Sequence, residues 1–202
     1  TLSFAGGVKG LGGVFTALRT PRRKRSSAPG SSIIASFLGL DMADGFRSLK
    51  TLETAPDIAA ALGDMVVAWA NAESALLWAL SHAAQIDANL TLTMYYRIPT
   101  VEARTKVIRA ILQDDDCKLK NREAIDEVVE RLSKLSRARN NWIHGAYFSD
   151  GKNIVTFDYR VRHDHPSRRK PIKANDIRHH VATVLQRTKE LQKMLPHDPF
   201  FA

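Results

Sequence analysis

The sequence predicts a mainly α fold: a bundle of four to five helices with one small β-hairpin between the third and the last long helix. Three observations lead there. Apolar residues recur at three- and four-residue spacing in four separate windows beyond residue 50, the pattern of helices that bury one face. Helix-start and helix-stop residues bound those windows. A lone Asp150-Gly151 pair stands between two β-prone runs, which marks a hairpin.

The first helix begins where Thr54 or Ala55 precedes Pro56 and Asp57, a proline and an acid in the first turn. Leu62, Val66, Trp69, Leu76 and Leu80 then keep helical spacing, with alanines on the other faces, over about residues 56–87. A helix apolar over so much of its surface belongs at the centre of a bundle. The second helix runs from near Thr100 to about Gln113, turns Val107, Ile108, Ile111 and Leu112 inward, and ends at Asp114-Asp115-Asp116. A third spans about residues 121–144, with Gly145 as its stop. The hairpin follows over residues 147–159. A basic loop, Arg168-Arg169-Lys170-Pro171, then leads to a last helix over about residues 175–194, carrying Ile177, Val181, Val184, Leu185, Leu191 and Leu195.

Residues 1–45 read differently. Gly6-Gly7 and Gly12-Gly13, the run Arg22-Arg23-Lys24-Arg25 and a Ser/Pro/Gly stretch after it cannot bury much apolar surface, so a flexible tail or extension is expected before a domain over 46–202. The tail is rich in arginine and serine and poor in acids, a loose likeness to an organelle transit peptide; an extension upstream of Met42 is the plainer reading. The tail also explains most of the formal charge of +9. Its first 40 residues hold six basic side chains and no acid, leaving 24 basic against 21 acidic in the rest. Bulk charge therefore does not identify a nucleic-acid partner. No apolar run reaches the roughly 18–20 residues of a membrane helix. The single Cys117 excludes a disulfide within these residues and fits a reducing, cytoplasmic compartment.

The third helix breaks its own rule. Ile125, Val128, Leu132, Leu135 and Trp142 keep one face, and the series places Arg139 where an apolar residue is due. A charge there is costly unless it is paired or opens on a cleft, and such exceptions gather at functional sites. The alternative is an arginine whose stem packs while its head reaches water. The first helix has a matching anomaly at Glu73, between Trp69 and Leu76, so Glu73 is expected beside Arg139. His144 ends the third helix, at the negative pole of its macrodipole, a position that suits a group exchanging protons. Asn140 lies four residues earlier, within reach of the ring. Arg139 lies five residues earlier, about 140° around an ideal helix. A long side chain, a frayed last turn or a second subunit must bring the two together.

The segment Arg139-Asn140-Asn141-Trp142-Ile143-His144-Gly145 resembles the signature of the HEPN superfamily: an arginine and a histidine with four to six residues between them, often with an asparagine after the arginine. The likeness extends over about residues 50–200, but only the seven-residue motif is sharp. Bare spacing is weak, because Arg160 to His165 and Arg137 to His144 also satisfy it. The weight lies in the Arg-Asn pair, its place at a helix end and the broken stripe. The resemblance implies an RNase of bacterial stress, toxin or antiphage defence, a homodimer with a composite site, and no metal or other cofactor. In that scheme His144 is general acid/base, Arg139 holds the phosphate, and Asn140 orients one or the other. Glu73, Asn141, Arg137 and Tyr147 are the supporting or substrate-binding candidates. In one branch of the family an antitoxin acts on a tyrosine two residues after the histidine. Ala146 stands there and Tyr147 comes one residue later, so an antitoxin of that kind is in doubt.

Two other readings stay open: a non-catalytic HEPN domain that binds RNA or nucleotide, and a structural helical module in which Arg139 pairs with Glu73. His163-x-His165 and His179-His180 lack the spacing of a paired helical metal site, and structural histidines are expected. The basic band Arg160, Arg162, Arg168, Arg169, Lys170 and Lys173, interleaved with Phe157 and Tyr159, reads either as an RNA track or as a solvated hairpin edge.

Overall fold

A computed structural model describes residues 45–157 and 169–196. Strand β1 (Arg47–Leu49) precedes the helices α1 (Pro56–Ala84), α2 (Ala88–Arg97), α3 (Val101–Gln113) and α4 (Arg122–His144). Strands β2 (Ala146–Ser149) and β3 (Ile154–Phe157) follow, then helix α5 (Ala174–Met194). The fold is mainly α with a small antiparallel sheet, as the periodicity and the Asp-Gly pair predict. Residues 1–44, including the expected tail, lie outside the described residues, as do Arg160, Arg162, His163, His165 and Arg168.

Helix α1 is central: it packs on each of the other four described helices, most extensively on α5, while α3 and α4 pair with each other. Its alanines make this approach possible, since Ala68, Ala72, Ala75 and Ala79 are all buried. The main core joins Trp69, Leu76 and Leu80 to Ile108 and Leu112 of α3, Ile125 and Leu132 of α4, and Leu191 of α5. Two expected core positions fall outside it: Val66 is 49% exposed and Val107 38%. In its first half α1 instead buries Ile58, Ala61 and Met65 against Ile177 of α5. The buried face has rotated with the partner it meets.

Helix α2 was not expected, and neither was β1. Gln85 turns left-handed (φ 54°) and ends α1 at residue 84, three residues earlier than the spacing implies. The Asp87 side chain then accepts hydrogen bonds from the Asn89 and Leu90 amides, at 2.8 and 3.3 Å, and starts a new helix. Strand β1 completes the sheet in the order β1-β2-β3, with Ser48 opposite Phe148 and Phe148 opposite Val155. Phe46, Phe148, Val155 and Phe157 form the small core of that sheet.

The turn at Asp150-Gly151 works as the dipeptide predicts. Asp150 Oδ1 accepts from the Lys152 and Asn153 amides and Gly151 takes a positive φ of 87°. Beyond the hairpin, the Ile172 amide donates to the Ile154 carbonyl at 2.7 Å and ties the segment before α5 to β3.

Gly145 stops α4, as expected, with an extended backbone (φ −74°, ψ 148°). A Cβ at this position would lie 2.6 Å from the Asn141 carbonyl oxygen and 3.0 Å from Thr156 Cβ. The missing side chain lets the helix end press onto β3. Gly145→Ala is expected to lose about 1–3 kcal/mol in chemical unfolding, the usual cost of overpacking. An unchanged unfolding midpoint would show that the approach is loose.

Candidate functional site

The end of α4 brings Arg139, Asn140 and His144 together within one chain. Arg139 Nη1 donates to Asn140 Oδ1 at 3.0 Å and lies 3.4 Å from His144 Nε2. The roughly 140° between them is thus spanned by the length of the arginine alone. No second subunit is needed to close the pair. His144 is exposed and Arg139 half-buried. Asn140 was expected to reach the histidine ring, and instead its carbonyl oxygen holds the guanidinium.

The guanidinium carbon of Arg139 sits 5.9 Å from the centre of the buried Trp69 ring, at the outer limit of a cation–π contact. Its Nε is buried without a hydrogen-bond partner, as is Trp69 Nε1. Arg139 forms no ion pair among the described residues. The expected Glu73–Arg139 contact is therefore a correction. Glu73 Oε1 accepts instead from Arg104 Nη1 of α3 at 3.1 Å, with both side chains largely buried. Arg104 Nε also donates to the Tyr95 and Ile98 carbonyls, at 3.1 and 3.0 Å, and its guanidinium packs on the Tyr95 and Tyr96 rings. Helical spacing shows that Glu73 leans inward, but says nothing of which neighbouring helix supplies the cation. The signal that could have found Arg104 is its position one turn into α3, beside the inward-facing Ile108.

The other candidates divide. Tyr147 donates its hydroxyl to the Trp142 carbonyl and so secures the last turn of α4; burial pushes the phenol up to about 12. Arg137 is exposed, seven residues before His144 and thus on nearly the same helix face, and its charge reaches Glu102 of α3. Asn141 is exposed and lines a cleft of about 410 Å³ together with Trp142, Thr156, Arg169, Lys170 and Asp176. Of the basic band, Arg169 is half-buried and Lys170 and Lys173 are exposed, while Phe157 faces the sheet core and is not free to stack on a base.

Sequence reasoning set His180 aside as structural, and the structure gives it that place. It is buried on α5, packs edge-on against Trp142 at 5.1 Å, and leaves Nε2 without a partner, whereas His179 is exposed. Burial holds the His180 imidazole below its ordinary range; its hydrogen bond to the Leu135 backbone opposes this, and the charge of His179 adds to it. In the unfolded chain the ring protonates near the ordinary value of about 6.5. Its contribution to stability is complete above that pH and falls as pH drops from there towards the lower folded value. A series of thermal melts from about pH 7.5 to about pH 5 is expected to show a declining Tm that His180→Gln flattens. An equal decline in the variant would assign the effect to another group.

Among the described residues no group of three or more His, Cys, Asp or Glu side chains is placed to hold a metal ion, and no helix is long and apolar enough to cross a membrane. What the fold and the site define together is a mainly α bundle presenting an Arg-Asn-His cluster at one helix end. Comparison with known proteins finds no match to a protein family, a curated protein or a solved structure.

Proposed function

We propose that this chain is a metal-independent endoribonuclease of HEPN type, acting in bacterial stress, toxin or antiphage defence. The observation that carries the reading is an arginine at 3.4 Å from an exposed histidine, on a helix end, with no carboxylate paired to it among the described residues. A guanidinium beside a histidine ring, with no counter-ion among the described residues, suits a phosphate. The reading as a purely structural module required Arg139 to pair with Glu73, and Glu73 pairs with Arg104.

In the proposed reaction the RNA 2′-oxygen attacks the adjacent phosphorus, the new O2′–P bond forms and the P–O5′ bond breaks. The products are a 2′,3′-cyclic phosphate and a 5′-hydroxyl. His144 exchanges the proton of the attacking or the leaving oxygen, a contribution of about 10² to 10⁴ in rate. Arg139, steadied by Asn140, binds the phosphate through a planar fork that a lysine lacks. A homodimer remains part of the reading. Val66 and Val67 are 49% and 63% exposed on the turn of α1 just before Trp69, an apolar surface close to the Arg139 contact.

The test is RNA cleavage by the purified protein in EDTA, beside His144→Ala, with the products examined for cyclic-phosphate ends. The wild type is expected to cut and the variant to fall by at least about 100-fold. Equal cutting by both would remove His144 from the chemistry. No cutting of any RNA offered would favour a domain that binds RNA or nucleotide without cleaving it.

A further inference from the structure

The cleft beside Asn141 has a mixed chemistry that the Arg139–His144 pair does not use. Around the α4 axis, at about 100° per residue, His144 falls between Asn140 on one side and Asn141 on the other. Arg139 is bonded to Asn140, so the phosphate-binding side and the cleft flank the histidine from opposite directions. Three elements build the cleft. The end of α4 brings Asn141 and Trp142, and lies close on Thr156 of β3 because Gly145 has no side chain. The Ile172–Ile154 hydrogen bond fixes the segment that carries Arg169 and Lys170, and the first turn of α5 adds Asp176.

Its volume of about 410 Å³ lies within the range of small-ligand sites. The lining offers the Lys170 ammonium, the Asp176 carboxylate, the Asn141 amide and the Thr156 hydroxyl, with Arg169 and Trp142 in its wall. A simple anion site would not hold Asp176, and an apolar pocket would not hold Arg169 and Lys170. A ribonucleotide matches all of them. The exposed Lys170 takes a phosphate, the Asp176 carboxylate accepts from ribose hydroxyls, and the Asn141 amide reads a base edge.

We infer that this cleft is a ribonucleotide subsite, holding the nucleotide on the side of the scissile phosphate away from Arg139. The inference rests on the ribonuclease reading for its place in the reaction, but the cleft can be tested apart from cleavage. The probes are the four ribonucleoside 5′-monophosphates, their 2′-deoxy counterparts and inorganic phosphate, titrated into the full chain carrying Arg139→Met so that the other phosphate site is removed. At least one ribonucleotide is expected to bind more tightly than inorganic phosphate. Adding Lys170→Glu should weaken it by about tenfold, the worth of one charge-assisted contact. Adding Asp176→Asn should erase most of the preference for ribose over deoxyribose, with the melting temperature unchanged in both. Binding that ignores both substitutions, or no nucleotide binding at millimolar concentration, would overturn the inference. Nucleotide binding that depends on Lys170 and Asp176, in a protein that cuts no RNA, would support the cleft and overturn the ribonuclease reading. RNA cleavage with a cleft indifferent to nucleotides would do the reverse.

Discussion

Replacing Arg139 by methionine is expected to abolish RNA cleavage while leaving the fold as stable as before, or more so. The loss should be about 10² to 10³ in rate, the usual cost of one preorganised donor to a developing anion. Arg139→Lys should lose nearly as much, because an ammonium keeps the charge and loses the fork. The stability half of the expectation comes from what the side chain lacks. Its Nε is buried without a partner and its guanidinium has no counter-ion among the described residues. An unmade buried hydrogen bond costs about 1–3 kcal/mol, and methionine fills a similar volume without that demand. The Trp69 contact given up is a marginal one at 5.9 Å. Thermal melting decides the matter: a Tm equal to or a few degrees above wild type marks a residue kept for chemistry. A fall of many degrees would make Arg139 structural and sink the reading.

Arg104 should behave in the opposite way. It joins five groups at once: the Glu73 carboxylate, the Tyr95 and Ile98 carbonyls, and the faces of two tyrosines. Its side chain is 11% exposed and that of Glu73 24%, so water cannot replace the lost partner well. Arg104→Met is expected to cost about 3–5 kcal/mol, chiefly through the uncompensated charge left on Glu73. Urea unfolding measures this directly. Adding Glu73→Gln should recover part of the loss, because the orphaned charge goes with it. A cost below about 1 kcal/mol would place the pair with ordinary surface ion pairs.

These two arginines also show where the sequence could be read and where it could not. Helical spacing marks α1, α3, α4 and α5 to within a few residues, because each buries a sustained stripe. It passes over α2, whose ten residues bury only Thr91 and Tyr95, and over β1, three residues that exist through pairing with a strand about 100 positions away. Asp87 as a helix cap was the local sign of α2. At the site, the broken stripe on α4 marks Arg139, and the structure brings it to His144. Pairing between helices is a different kind of information. Period places Glu73 on an inner face, yet the neighbour it meets depends on how α1, α3 and α4 cross. The cleft at Asn141 was equally hidden, since it is assembled from a helix end, a strand and the start of another helix.

The contact at Gly145 has a consequence for motion. Helix ends ordinarily fray, and their last turn opens independently of the rest. Here the Tyr147 hydroxyl bonds to the Trp142 carbonyl, and the helix end rests on Thr156 without an intervening side chain. Tyr147 in turn is paired on both sides, with Leu49 and with Thr156. The amides of the final turn of α4 are thus tied to the sheet. In hydrogen exchange they are expected to open together with the strands as one cooperative unit. The Arg139–His144 pair thus sits on a helix end braced by a three-stranded ribbon that touches neither residue's chemistry.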